Sequence, residues 1–294
     1  MNIYILMPKF QKFIIFNVLI NILGILYQYI YTNQSILFCY LYCVFYHYMF
    51  VNILDYITKN NKRITENKYI PDIYYIFNVS VVGFTELLTI HICNQIKTDN
   101  IIYDFITLIP KLFIYEIIFD FFHYWTHRIS HHKYLYYFHK THHEHKSNLS
   151  VYSTYNHNIF DLIFTNVIPM YLTSNIIILS EYQFFIFLIL KTFIEISGHS
   201  GSYIKNSSFI QCIWIPKIFG IELYARDHYL HHTKFNYNYS KRFILWDKIF
   251  NTYTTDKEII KKENVLFDNK SIIIQNVYIR NILFILFLWI CYIL

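Results

Sequence analysis

Cysteine, proline and glycine are scarce in this chain, five of each among 294 residues. The cysteines (Cys39, Cys43, Cys93, Cys212 and Cys291) form no CxxC pair, which excludes a disulfide framework and a cysteine-built zinc site. No Pro/Gly/Ser-rich linker and no internal repeat divides the sequence, so neither a string of domains nor a solenoid is expected. Charge is short as well. Only 15% of residues are Asp, Glu, Lys or Arg, where a soluble domain carries about 25%. The net charge of +6 is modest and reads as a basic face that orients the chain in a bilayer, with no nucleic-acid partner.

What the chain has instead is apolar length. Hydrophobic residues make up 55% of it. Heavy use of Ile, Tyr, Phe, Asn and Lys inflates such a count everywhere, so run lengths have to decide. A membrane crossing takes roughly 20 helical residues, and four stretches qualify: Phe13 to Ile30, Ile36 to Leu54, Ile73 to Cys93 and Ile101 to Phe122. The first has no small-residue cleavage site after it and is expected to be a retained anchor. Two further stretches, Ile159 to Leu179 and Phe184 to Ile196, are interrupted by Pro169 and by Lys191 and Glu195, and read as a shorter hairpin. The last run, Ile282 to Leu294, is short for a span.

Lys9 and Lys12 precede the first span, and Lys59, Lys62, Arg63 and Lys68 follow the second, whereas the alternate connections hold only Lys97. The positive-inside rule makes the basic loops cytosolic, and two more crossings bring the chain after Phe122 back to that side. The expected architecture is an all-α integral membrane bundle of about four main transmembrane helices and a short hairpin, with a cytosolic histidine-rich helical cap. Its segments are expected at residues 1–114 (transmembrane helices), 115–255 (catalytic region) and 256–294 (tail with a short apolar helix).

The histidines carry the chemistry. Of fifteen, all but His47 and His91 lie between His123 and His232. His123 and His127 stand at i, i+4, with Asp120 one turn earlier and His131 one turn later, on one face of a continuing helix. His139, His142 and His143 form an HxxHH set, and His228, His231 and His232 repeat it. Two imidazoles one helical turn apart can reach the same ion, and eight or more converging rings suggest two ions. Imidazole alone does not name the metal. An out-and-back hairpin over residues 159–199 would return the third box to the side of the first two. His47, His91, His132 and His145 read as packing or peripheral residues. Asp120, Glu144, Glu195 and Asp227 are the nearest carboxylates that could orient ligand rings. Trp246 and Asp247 read as locking the last turn of the cap.

The run DFFHYWTHRISHHKYLYYFHKTHH, Asp120 to His143, and the run DHYLHHTKFNYNYSKRFILWDKIFNTY, Asp227 to Tyr253, resemble the histidine boxes of the fatty acid hydroxylase and sterol desaturase superfamily. Glu195 to Gly201, reading EISGHSG, resembles the family's E…HSG element, and the nearest likeness is to the C-4 methylsterol oxidases. The resemblance covers about residues 115 to 255. It implies metal-ligand roles for His123, His127, His139, His142, His143, His199, His228, His231 and His232, with His131 and His157 as further possibilities. It also implies two Fe ions, with Zn as a substitute, and O2 as co-substrate. Electrons would come from NAD(P)H through cytochrome b5 and its reductase as separate proteins, at an endoplasmic-reticulum-type membrane with the site facing the cytosol. The substrate would be a sterol or related lipid. Alternatives are a C-5 sterol desaturase or an alkyl-lipid hydroxylase, and, outside catalysis, a zinc-holding membrane scaffold. The sequence departs from the family pattern at Asn158, Ser240 and Asn251; Asn251 stands where the family has glycine. Asn tolerates positive φ best among the residues that have a Cβ.

Overall fold

A computed structural model describes residues 9–65, 68–146, 148–203 and 209–257. The apolar run Ile282 to Leu294 and nearly all of the expected tail lie outside the described residues. Helix α1 spans Lys9–Asn33, α2 Ile36–Thr58 and α3 Tyr74–Ile92, and these three are long and apolar enough to cross a membrane. Each keeps large apolar side chains exposed, such as Val18 and Ile22 on α1, Leu41 and Phe45 on α2, and Ile76 and Phe77 on α3. Such a band suits lipid rather than water.

The fourth expected span is broken in two. Short α4 (Ile101–Ile106) ends at Thr107, and α5 (Leu108–Ser130) starts afresh. Pro110 explains the break: it has no N–H to donate to Ile106, so a continuous ladder cannot pass it. Gln183 Nε2 donates to the Asp104 carbonyl at 2.9 Å and to Thr107 Oγ1 at 3.0 Å across the gap. Helix α5 still runs the length of the bundle, but it carries Lys111, Glu116 and Asp120 and is therefore too polar to count with the first three.

After α6 (Tyr136–His139) and a 3-10 turn (Val151–Tyr155), the expected hairpin is present. Its outward limb comprises α7 (Ile159–Leu162), a π turn (Ile163–Val167) and α8 (Ile168–Ser174). Its return limb is α9 (Glu181–Gly198), opened by a capping box between Ser180 and Gln183. Rather than lying at the membrane margin, α9 is the core: Phe184 to Leu190 are at most 1% exposed. It packs closely on α1, where a Cβ at Gly24 would sit 2.6 Å from Ile186 Cγ1.

Two ends of the bundle are tied differently. At one end, strands β1 (Gln95–Ile96) and β2 (Leu179–Ser180) pair in parallel, and Asn94 N donates to Ser174 Oγ. At the other, the basic loop after α2 is bonded to the chain just beyond α9: Ile64 N donates to the Gly201 carbonyl, and Tyr203 N to the Lys62 carbonyl. Helix α5 begins at the first end and finishes at the second. The hairpin leaves the second end and returns to it. Helices α10 (Trp214–Phe219), α11 (Ala225–Lys234) and α12 (Leu245–Ile249) complete the cap there.

Candidate metal centre

The histidine boxes meet at that second end and sort into two groups. His127, His131, His139, His143 and His231 have ligating atoms within 4.8 Å of one another, and so do His142, His199, His228 and His232. Helix geometry explains the division. In each HxxHH box the first and last histidines stand at i, i+4 on one face, and the middle one is turned away from the last by about 100°. His139 and His143 therefore join the five-membered group while His142 joins the other. His228 and His232 join the four-membered group while His231 crosses back. The boxes interleave, and the groups abut: the His143 and His232 rings lie 4.6 Å apart.

Within each group the Nε2 atoms converge. His139 Nε2 is 3.2 Å from His127 Nε2 and 3.0 Å from His143 Nε2. His228 Nε2 is 3.0 Å from those of His199 and His232. Two nitrogens bound at right angles to one ion at about 2.1 Å stand about 3.0 Å apart. The opposite ring nitrogens are held by oxygen. His127 Nδ1 donates to the Tyr239 carbonyl at 2.7 Å, His231 Nδ1 to Tyr237 at 2.8 Å, and His199 Nδ1 to Glu195 at 3.0 Å. His139 Nδ1 donates to Asp161 Oδ1 at 2.7 Å. A proton fixed on Nδ1 leaves a lone pair on Nε2, and converging lone pairs without protons between them call for a cation. His131 Nε2 and His231 Nε2 are buried with no hydrogen-bond partner. The residues present fit two metal ions.

Electrostatics agree. Burial holds His199 and His231 down to about 3, and burial with neighbouring imidazoles pushes His127, His142, His143 and His232 well below the ordinary value. All are neutral at pH 7, the form that binds metal.

Other expected residues fall elsewhere. His123 stands outside both groups, its Nδ1 donating to the Thr165 carbonyl at 2.6 Å. Pro169, four residues on, has no N–H to give that carbonyl. His157 stacks on His142 at 4.2 Å, also outside both groups. His131, only a further possibility in the sequence, lies within the five-membered group. Of the four carboxylates proposed to orient ligands, none touches a ligand ring by its side chain. Asp120 accepts from the backbone of Lys241, Arg242 and Phe243. Glu144 accepts from Asn156, Asp227 caps α11 at Tyr224 N, and Glu195 pairs with Lys191 and Lys241. Only the backbone carbonyl of Glu195 orients a ring. The carboxylate that does so is Asp161, which holds His139 and, at 3.1 Å, His157 Nδ1.

His47 sits apart, with Cys43 and Glu86, inside the helix bundle. Its Nδ1 faces Tyr155 Oη at 2.9 Å, and Glu86 accepts from Tyr27, Tyr46 and Cys43. These groups satisfy one another. A cavity beside the metal groups is walled by rings of both, and also by Thr154, Asn166, Glu195 and Lys241.

Among known families, residues 112–252 match fatty acid hydroxylase, and that stretch contains all nine histidines of the two groups. That stretch resembles a fatty acid hydroxylase domain. The stretch is similar to fatty acid hydroxylase vlmA of Lecanicillium sp, 32% identical over 48% of this chain and 41% of the relative. It is similar to methylsterol monooxygenase 1 of Rattus norvegicus, 32% identical over 46% of this chain and 44% of the relative. It also resembles the Delta(7)-sterol 5(6)-desaturase erg31 of Schizosaccharomyces pombe, 30% identical over 50% and 47%. The chain spans about half the length of these curated relatives or somewhat less. No solved structure matches it. Within this stretch Asn251 has φ 57, so the position where the resemblance expects glycine is left-handed and occupied by Asn.

Proposed function

We propose that this chain is a membrane-embedded oxygenase that holds two iron ions and oxidises a sterol or related lipid with O2, in the manner of a C-4 methylsterol oxidase. One observation carries the reading: nine histidines, seven of them buried, in two abutting groups at the end of a bundle of apolar helices. Nitrogen ligands alone fit iron or zinc. Oxidation is favoured because the relatives are named as monooxygenase, desaturase and hydroxylase. The cytosolic orientation is supported by the hydrogen bonds between the Lys62–Ile64 loop and Gly201–Tyr203, which join a basic loop to the chain beside His199. Electrons are assigned to cytochrome b5 and its reductase, and the compartment to an endoplasmic-reticulum-type membrane.

Iron bound there would supply activation of dioxygen. The protein's part is to keep the site dry and the rings fixed. Carbonyls of Glu195, Tyr237 and Tyr239 and the carboxylate of Asp161 set four rings, so little reorganisation is needed when charge changes at the centre. Lys241 and Asn166, bonded to each other on the cavity wall, are positioned to meet a polar group of the substrate. The likeness to the 5(6)-desaturase favours a second reading, desaturation of a sterol ring.

The test is lipid analysis of sterol-auxotrophic cells expressing the chain. Rescue of the C-4 demethylation defect is expected; rescue of the C-5 desaturation defect instead selects the second reading, and rescue of neither removes both. Protein purified without oxygen should hold two irons per chain, and one zinc with no iron would favour a scaffold. His142→Ala and His231→Ala each remove one ligand from a different group, and each should lower turnover to below about a tenth of wild type.

A further inference from the structure

Five successive backbone amides, from Tyr239 to Phe243, are collected by two carboxylates that are both fully buried. Asp247, on α12, accepts from Tyr239 N through Oδ1 at 2.8 Å and from Ser240 N through Oδ2 at 2.9 Å. Asp120, on α5, accepts from Lys241 N and Arg242 N through Oδ1 at 2.7 and 2.9 Å, and from Phe243 N through Oδ2 at 3.0 Å. Thr252 Oγ1 donates to Asp247 Oδ1 at 2.7 Å and keeps that carboxylate in place.

The Ser240 N–H and the Tyr239 carbonyl belong to one planar peptide group. One edge of that peptide is bound by Asp247, and the other accepts His127 Nδ1–H at 2.7 Å. A charged acceptor on the amide makes the carbonyl of the same peptide a stronger acceptor, since chained hydrogen bonds polarise one another in a low-dielectric interior. The line from Asp247 through the peptide to His127 is thus a carboxylate–histidine pair with one peptide inserted. It parallels the direct pair of Asp161 and His139 in the same five-membered group.

We propose that Asp247 is a positioning residue for the five-histidine group, acting through the Tyr239–Ser240 peptide to orient His127 and to raise the donor strength of its Nε2, with Asp120 fixing the three amides that follow. This rests on the two-ion reading above. The effect is confined to one group, because the peptide has no bond to His142, His199, His228 or His232.

The experiment is cobalt(II) titration of the detergent-solubilised full chain, followed by the visible ligand-field bands and by chelator competition. Wild type is expected to take two ions; failure to do so sinks the two-ion reading itself. Asp247→Asn places an N–H where one backbone amide needs an acceptor. It should weaken one ion by roughly 10–100-fold and leave the other unchanged. Combining Asp247→Asn with His127→Ala should add no further loss beyond His127→Ala alone, because the first acts through the second. Additive losses, equal weakening of both ions, or unchanged binding of both would overturn the proposal. Thr252→Val, which keeps the shape of the side chain and removes only the hydroxyl, should give a smaller weakening of the same ion. That variant decides the matter if Asp247→Asn does not fold.

Discussion

Asp161 holds two rings at once, His139 through one oxygen and His157 through the other. Replacing it by Asn leaves one acceptor for two donors. Asp161→Asn is expected to weaken metal at the five-histidine group by roughly 10–100-fold, measured by chelator competition; unaltered affinity would show that the carboxylate has no hold on His139. The boxes themselves were readable because i, i+4 spacing is local. Asp161 was not, since its partner lies 22 residues earlier in a different element. Asp120 and Asp227 lie near the boxes along the chain, but nearness along a helix says little about where a side chain points. Asp120 sits one turn before His123 yet faces the 241–243 backbone. His199 has no neighbouring histidine to mark it, so only the family likeness points to it.

At the scale of elements, the long apolar helices and the out-and-back hairpin were legible from run length. The break at Thr107 was in principle legible too, because Pro110 carries it. The depth of α9 was not: Lys191 and Glu195 make it look marginal, but they neutralise each other at 2.9 Å. Helices α1, α2 and α3 are joined by Glu86, which accepts from Tyr27 on α1 and from Cys43 and Tyr46 on α2. Glu86→Ala leaves these donors and His47 unmatched in a buried place and should cost about 3 kcal/mol or more, read as a lowered unfolding temperature in detergent. An unchanged temperature would mean that the network holds nothing together. His91, exposed at the end of α3, serves as the comparison, and His91→Ala should be silent.

For the molecule as a whole, the cluster of neutral rings sets a direction for acid sensitivity. Burial holds His199 and His231 at about 3, whereas an unfolded histidine titrates near 6.5. Between those values the unfolded chain takes up protons that the folded chain refuses, so stability falls as pH drops from about 6.5 toward 3. Metal binding falls in the same direction, because protons compete for the same nitrogens. Chelator-treated protein should therefore unfold at progressively lower temperature from pH 7 to pH 5. A flat profile would contradict the burial of these rings. Metal-loaded protein should unfold at higher temperature than chelated protein at every pH where ions stay bound.

The burial of α9 on every side also bears on how the protein is made. A segment with no surface for lipid has no resting place in the bilayer by itself, and its slot exists only once α1 and α5 stand on either side. His199 rides at its end, and the second HxxHH box follows it in the chain. The four-histidine group is accordingly assembled late, since His199, His228 and His232 all follow α9, and a ribosome-bound chain halted within α8 would carry only His142 of it.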